Sequence, residues 1–108
     1  MYELFQSEKT EKFHFRVKAG NGEIILQSQA YKDKAAALNG IESVKTNGTS
    51  EDNFEIKEAS NGKGYFTLKA GNGQIIGQSQ QYKTKSGLNN GIQSIIKNAG
   101  SDVKDLTA

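Results

Sequence analysis

FRVKAGNGEIILQSQAYKDK runs from Phe15 to Lys34, and FTLKAGNGQIIGQSQQYKTK runs from Phe66 to Lys85, 51 positions further along. Extended without gaps, Phe13–Asn47 and Gly64–Asn98 agree at 19 of 35 positions, a likeness that chance does not produce. Upstream, Tyr2-Glu3-Leu4 matches Phe54-Glu55-Ile56 once one residue is skipped. The chain is one unit written twice, with repeats at about 1–52 and 53–108.

Inside each copy the apolar spacing changes. Phe13, Phe15 and Val17 alternate with His14, Arg16 and Lys18, and Phe66 and Leu68 alternate with Tyr65, Thr67 and Lys69, which is the period of a half-buried strand. The AGNG that follows carries Asn-Gly, whose tolerance of positive φ suits a tight two-residue hairpin into a second strand. With Asn21-Gly22 at the tip, Val17 faces Leu26 and Phe15 faces Ser28, so Ile24 and Leu26 point to the core. A different loop length exchanges the faces, because Ile25 and Ile76 are equally apolar.

The spacing then turns helical. Ala37, Ile41 and Val44 in one copy, and Leu88, Ile92 and Ile95 in the other, fall at i, i+4 and i+7. Asp33 and Thr84 stand where N-caps belong, their side-chain oxygens free to accept from first-turn amides. Asn47-Gly48 and Asn98-Ala99-Gly100 tolerate a left-handed helix end. Gly40 and Gly91 lie on the buried stripe, where a missing side chain lets the helix press on the sheet. The tail SDVKDLT reads as a last short edge strand.

Each copy is thus β-β-β-α, with one helix over three strands and a core too small to stand alone. The expected fold is α+β: two tandem β-β-β-α repeats in one mainly antiparallel sheet, related by a pseudo-twofold axis, with both helices on one face and the other face open. At 108 residues the chain is expected to form a single compact domain.

Composition narrows the chemistry. The apolar share is 34% and the mean hydropathy −0.68, so the core is thin. No apolar run approaches the roughly 18–20 residues that span a bilayer, and MYELFQSEKT has no basic-then-apolar leader pattern. No membrane association and a cytoplasmic location are expected. Without cysteine there is no disulfide, thiolate metal site or cysteine nucleophile. Net charge is +2, and 13 of the 14 bases are lysine, Arg16 being the exception. Arginine usually dominates bidentate reading of phosphate and guanine, so the balance argues weakly for nucleic acid.

The pattern FRVKAGNGEIILQSQAYKDK with NGIESV (39–44), and FTLKAGNGQIIGQSQQYKTK with NGIQSI (90–95), resembles the YegP-like family of small bacterial proteins. The match covers nearly the whole chain. The resemblance implies a β3-α repeat, two of which share one sheet with terminal strands exchanged between them. It also implies that a tandem chain resembles a covalently joined dimer and works as a monomer. It brings no catalytic residues and no cofactor.

His14 is the only histidine, its counterpart is Tyr65, and the strand pattern puts it on the polar face; acid–base or metal work would also need carboxylates close by, and an exposed strand residue is the plainer reading. No Gly-x-Ser-x-Gly elbow or metal-ligand spacing occurs. KAGNG lacks the Gly-Lys-Ser/Thr ending and the following helix of a phosphate loop, and a hairpin explains it. Two surfaces remain as candidate sites. Tyr31, Lys32 and Lys34, with Tyr82, Lys83 and Lys85, stand at helix N-termini that favour an anion, against the plainer reading of solvated starts with the tyrosines packed as staples. His14, Arg16, Lys18, Tyr65 and Lys69 share the open sheet face, which single-stranded nucleic acid could stack on and neutralise, against the plainer reading of a solvated face. A non-enzymatic binding or accessory module is the expectation, with its partner unread; protein and nucleic acid both stay open, the second as a weak binder.

Overall fold

A computed structural model of the chain describes residues 1–107. In chain order it has β1 (Tyr2–Gln6), β2 (Phe13–Lys18), β3 (Ile24–Ser28), α1 (Lys34–Asn47), a 3-10 turn (Glu51–Asn53), β4 (Phe54–Glu58), β5 (Gly64–Lys69), β6 (Ile75–Gln78), α2 (Lys85–Asn98) and β7 (Val103–Asp105). The strands form one sheet in the order β4-β5-β6-β3-β2-β1-β7. The repeats meet where β3 and β6 run antiparallel, with Gln27 opposite Gln78 and Ser28 opposite Gly77. Only β7 is parallel to its neighbour, β1.

Each helix leaves its own repeat. α1 starts over β2 but also reaches β5 and β6, and α2 lies on β5 and β3. The apolar stripes Ala37-Ile41-Val44 and Leu88-Ile92-Ile95 are buried against strand residues such as Leu4, Phe15, Phe66 and Leu68, all of them 0% exposed. Burying each such large side chain stabilises by roughly 1.5–3 kcal/mol, so the crossed helices close a core that neither half could close alone. Asp33 and Thr84 cap as expected, Asp33 Oδ1 accepting from Ala36 N at 2.8 Å and Thr84 Oγ1 from Gly87 N at 3.0 Å.

Three expectations need correction. The AGNG hairpin is not a two-residue turn: Ala19 N–H donates to Glu23 O, Gly22 N–H donates to Ala19 O, and only Gly22 is left-handed, at φ 86°. That is a type I turn followed by a left-handed bulge residue. Asn21 serves through its side chain, Oδ1 accepting from Glu23 N, rather than through positive φ. The same turn recurs at Asn61-Gly62 and Asn72-Gly73.

The bulge also settles the faces of β3. Val17 pairs with Leu26 as expected, but Lys18 pairs with Ile24, so Ile25 is the extra residue. Ile25 is 3% exposed and Leu26 0%, while Ile24 is only half-buried. The helix ends are not left-handed, since Gly48 has φ −76° and Ala99 φ −57°. Orphan carbonyls are met instead by Gly48 N–H donating to Val44 O, Asn53 Nδ2 to Asn47 O and Ser101 N–H to Asn98 O. Gly40 and Gly91 do let the helices press on the sheet: a Cβ at 40 would lie 2.8 Å from Phe15 Cε2 of β2, and one at 91 would lie 3.1 Å from Phe66 Cε2 of β5.

Strand exchange is one-sided. β7 crosses to the outer edge of β1, where Tyr2 N–H donates to Asp102 O and Leu106 N–H to Leu4 O. After α1 the chain passes through the 3-10 turn into β4, and no strand of the described residues covers the outer edge of β4.

Candidate functional site

The open sheet face carries an ordered polar row. Across it, Glu3 pairs with Arg16, Arg16 with Gln27, Gln27 with Gln78, Gln78 with Thr67, and Thr67 with Glu55. Arg16 Nε donates to Glu3 Oε1 at 2.7 Å and Lys18 Nζ lies 3.3 Å from Glu3 Oε2. On the other half, Lys69 and Lys57 flank Glu55 at 2.5 and 3.6 Å. The Arg16 hydrogen bond holds the Glu3 carboxyl below its ordinary range, and Lys69 does the same for Glu55. Arg16 also covers Phe5 at 4.6 Å, and Phe5 stacks on His14 at 5.4 Å. Tyr65 is half-buried beside Lys57 in the next strand. The face carries His14, Arg16, Lys18, Tyr65 and Lys69, and Arg16, Lys18 and Lys69 are matched by two glutamates on neighbouring strands. A phosphate backbone arriving there would have to displace those carboxylates.

At the helix starts the tyrosines are structural. Tyr31 stacks on Phe15 at 6.1 Å and Tyr82 on Phe66 at 6.3 Å, and each exchanges two backbone hydrogen bonds with the start of its β2-type strand. Burial raises both phenol pKa values, so both hydroxyls are neutral donors. The lysines diverge. Lys34 is paired with Asp105 of β7, whereas Lys85 has no carboxylate partner among the described residues. Lys32 and Lys83 are exposed.

A third feature was not singled out in the sequence. The AGNG hairpin of each repeat lies against the helix of the other, leaving two clefts related by the pseudo-twofold axis. The larger, about 700 Å³, is lined by Gln29, Tyr31, Asn39, Gly40 and Ser43 on one side and by Asn72, Gly73 and Ile76 on the other. Its twin, about 290 Å³, is lined by Tyr82, Asn90, Gly91 and Ser94 facing Ala19, Asn21 and Ile25. Glu23 stands where the larger cleft has Gln74 and accepts a hydrogen bond from Gln80 across the seam. The larger cleft has no carboxylate, histidine or lysine in its wall. Tyr82 Oη is buried without a hydrogen-bond partner, a state that costs about 1–3 kcal/mol unless a partner arrives. A signal for these residues existed in the repeat itself. Asn39/Asn90 and Ser43/Ser94 are identical in both copies although the Asn pair is exposed, so core packing does not account for it, whereas Asn21/Asn72 also serve the hairpin turns.

The architecture defines a class: tandem β-β-β-α proteins in which two repeats build one mixed, mainly antiparallel sheet beneath crossed helices and twin polar clefts. Two stretches of the chain, residues 8–55 and 59–105, match the family model described as domain of unknown function DUF1508, and the chain belongs to that family. It is 49% identical over 107 residues to a UPF0339 protein of Shewanella oneidensis, covering 98% of this chain and 96% of that one. It is 50% identical over 107 residues to the UPF0339 protein YegP of Escherichia coli O157:H7, again covering 98% and 96%. The solution NMR structure of a Shewanella oneidensis UPF0339 protein superposes with a TM-score of 0.90 at 48% identity, over 97% of this chain and 89% of that one. That of yegP from E. coli, a protein of unknown function, does so at 0.90 and 49%, over 97% and 90%. No helix of the described residues is long and apolar enough to cross a membrane.

Proposed function

We propose that this chain is a non-catalytic binding module whose twin clefts hold an uncharged, hydrogen-bonding partner surface. The observation that carries the reading is the placement of Asn39, Ser43 and Asn72, with their repeats Asn90, Ser94 and Asn21, around two clefts that lack a charged acid–base pair. Amides and hydroxyls recognise shape and polarity, whereas proton transfer calls for titratable groups poised near neutrality. His14, the only histidine, is stacked on Phe5 on the opposite face of the sheet.

The test is affinity capture from lysate with two baits, the natural chain and a variant carrying Asn39→Leu and Asn90→Leu, both changes being at exposed positions. A partner that the natural chain retains and the variant loses supports the reading. Equal capture by both, or by neither, defeats it. Titration with mixed RNA at 50 and 200 mM salt is expected to give no steep salt dependence, given the Glu3 and Glu55 pairing.

A further inference from the structure

We infer that the outer edge of β4 docks an extended segment of another protein, added as a parallel strand, with an apolar residue followed two positions later by a carboxylate. The reasoning starts from the pseudo-twofold axis, which maps β1 onto β4 and α1 onto α2. In the first repeat the equivalent edge is already filled: β7 lies on β1 with Val103 opposite Tyr2 and Asp105 opposite Leu4. Val103 packs on the core and Asp105 pairs with Lys34 at the start of α1. With β7 in place, Tyr2 and Leu4 are 0% exposed.

The second repeat repeats the receptor without the strand. Ile56, the counterpart of Leu4, is 60% exposed. Lys85, the counterpart of Lys34, makes no ion pair among the described residues, although Glu58 lines the same cleft. A cleft of about 500 Å³ lies at Phe54, Ile56 and Ile92, where the apolar residue would seat. A second of about 450 Å³ continues past Ile56 to Lys85 and Leu88, where the carboxylate would seat. The two share Ile56, so together they form one groove along the strand. An exposed strand edge also offers unpaired backbone groups to an added strand.

The local chain explains why nothing of its own fills the groove. Tyr2 N–H takes Asp102 O, and Phe54 N–H takes Glu51 O, the residue 51 positions earlier. The linker thus supplies the first hydrogen bond of the missing strand and then turns to become β4 itself. A second copy is a poor occupant, because its β7 already covers its own β1, and lending it would bare that edge. Charge narrows the rest: Lys83 and Lys85 outnumber Glu58, the one carboxylate in the wall of that cleft, so this end of the groove favours an acidic segment.

The probe is the synthetic peptide Ser-Asp-Val-Lys-Asp-Leu-Thr, the sequence of residues 101–107, titrated into the full isotope-labelled chain and followed by amide NMR. Saturable shifts at Glu55, Ile56 and Lys57, with β1 amides unmoved, are expected. Replacing the peptide valine by aspartate is expected to weaken binding at least tenfold, as is Lys85→Glu in the protein. Replacing the second aspartate of the peptide by lysine is expected to restore binding to the Lys85→Glu protein. Shifts confined to β1, meaning that the peptide merely displaces β7, would overturn the inference. So would no β4 shift at millimolar peptide, or β4 shifts that follow protein concentration without peptide. Indifference of lysate capture to the cleft asparagines would defeat the cleft reading and leave this result unchanged.

Discussion

Replacing Gly77 by alanine separates the repeats in the middle of the sheet, where β3 and β6 pair. Gly77 faces Ser28 across the seam, and an added Cβ would sit 2.5 Å from the backbone oxygen of Gln27 and 3.2 Å from Leu26 Cγ. Ordinary contact begins near 3.4 Å, and a backbone oxygen in a ladder cannot swing aside, so β3 and β6 must part by most of an ångström. Alanine normally gains about 0.4–1 kcal/mol over glycine by restricting the unfolded chain. Overpacking costs about 1–3 kcal/mol, and stretching the Gln29 N–H to Ile76 O bond, 3.3 Å already, weakens a contact worth about 0.5–1.5 kcal/mol. The net expectation is a loss of roughly 1–3 kcal/mol, or at least about 4 °C in Tm for a domain of this size. Urea unfolding followed by circular dichroism measures it, with the slope checked for loss of two-state behaviour. A cycle with Leu26→Ala adds a second reading: that change alone should cost about 2–5 kcal/mol, and the pair should cost less than the sum by at least about 0.5 kcal/mol. A Gly77→Ala protein as stable as the parent, or more so, refutes the claim that the seam is closed to a single methyl.

Two further outcomes follow from single residues. Glu11 is the one non-glycine residue of the described chain with positive φ, at 60°, in the place that Gly62 takes in the second copy. Glu11→Gly is expected to raise stability by roughly 0.5–1 kcal/mol, the left-handed penalty relieved less the entropy that glycine loses; an unchanged or lower Tm would count against it. The Asp105 carboxyl is held down to about 2 from an ordinary 3.8, first by the Lys34 hydrogen bond and then by the Thr107 hydroxyl and amide. Because the folded value is the lower one, the Asp105 contribution to β7 docking is at full strength above about pH 4 and is lost as pH falls through about 2. Amide shifts of Leu106 and Thr107 should titrate with that low midpoint, and a midpoint near 3.8 would show the pairing to be absent.

Much of the frame was legible because periodicity reports burial directly. The switch from alternation at Phe13-Phe15-Val17 to helical spacing at Ala37-Ile41-Val44 gave the order of elements, and Asp33 and Thr84 marked the helix starts. The turns were less legible. Asn-Gly serves both a two-residue hairpin and a type I turn with a glycine bulge, and only the backbone tells which; that choice carried Ile25 inward at the expense of Ile24. The glutamates that match the sheet lysines were missed for another reason. Glu3 and Glu55 lie on strands outside the obvious repeat, and their meeting with Arg16 and Lys69 is a matter of register across the sheet. The clefts needed the crossing of the helices, which no local pattern encodes.

The places where the copies differ argue that the duplication is now obligatory. At the seam Leu26 is matched by Gly77, and the glycine leaves the space that the leucine fills. Near the helix starts, Gly64 leaves room for Leu88, whose Cδ1 would lie 2.9 Å from a Cβ at 64; the first copy puts the bulk on the strand as Phe13 and the small residue on the helix as Ala37. Two first copies paired with each other would bring two leucines to the axis, and two second copies would bring two glycines, an overpacked seam and a hollow one. A large residue on one side and a small one on the other packs densely only in the mixed pairing. The covalent link that supplies this pairing also consumes the segment after α1 as a connection to β4, whereas the segment after α2 is free to become β7. The asymmetry that leaves the β4 edge open is therefore a consequence of joining two repeats in one chain.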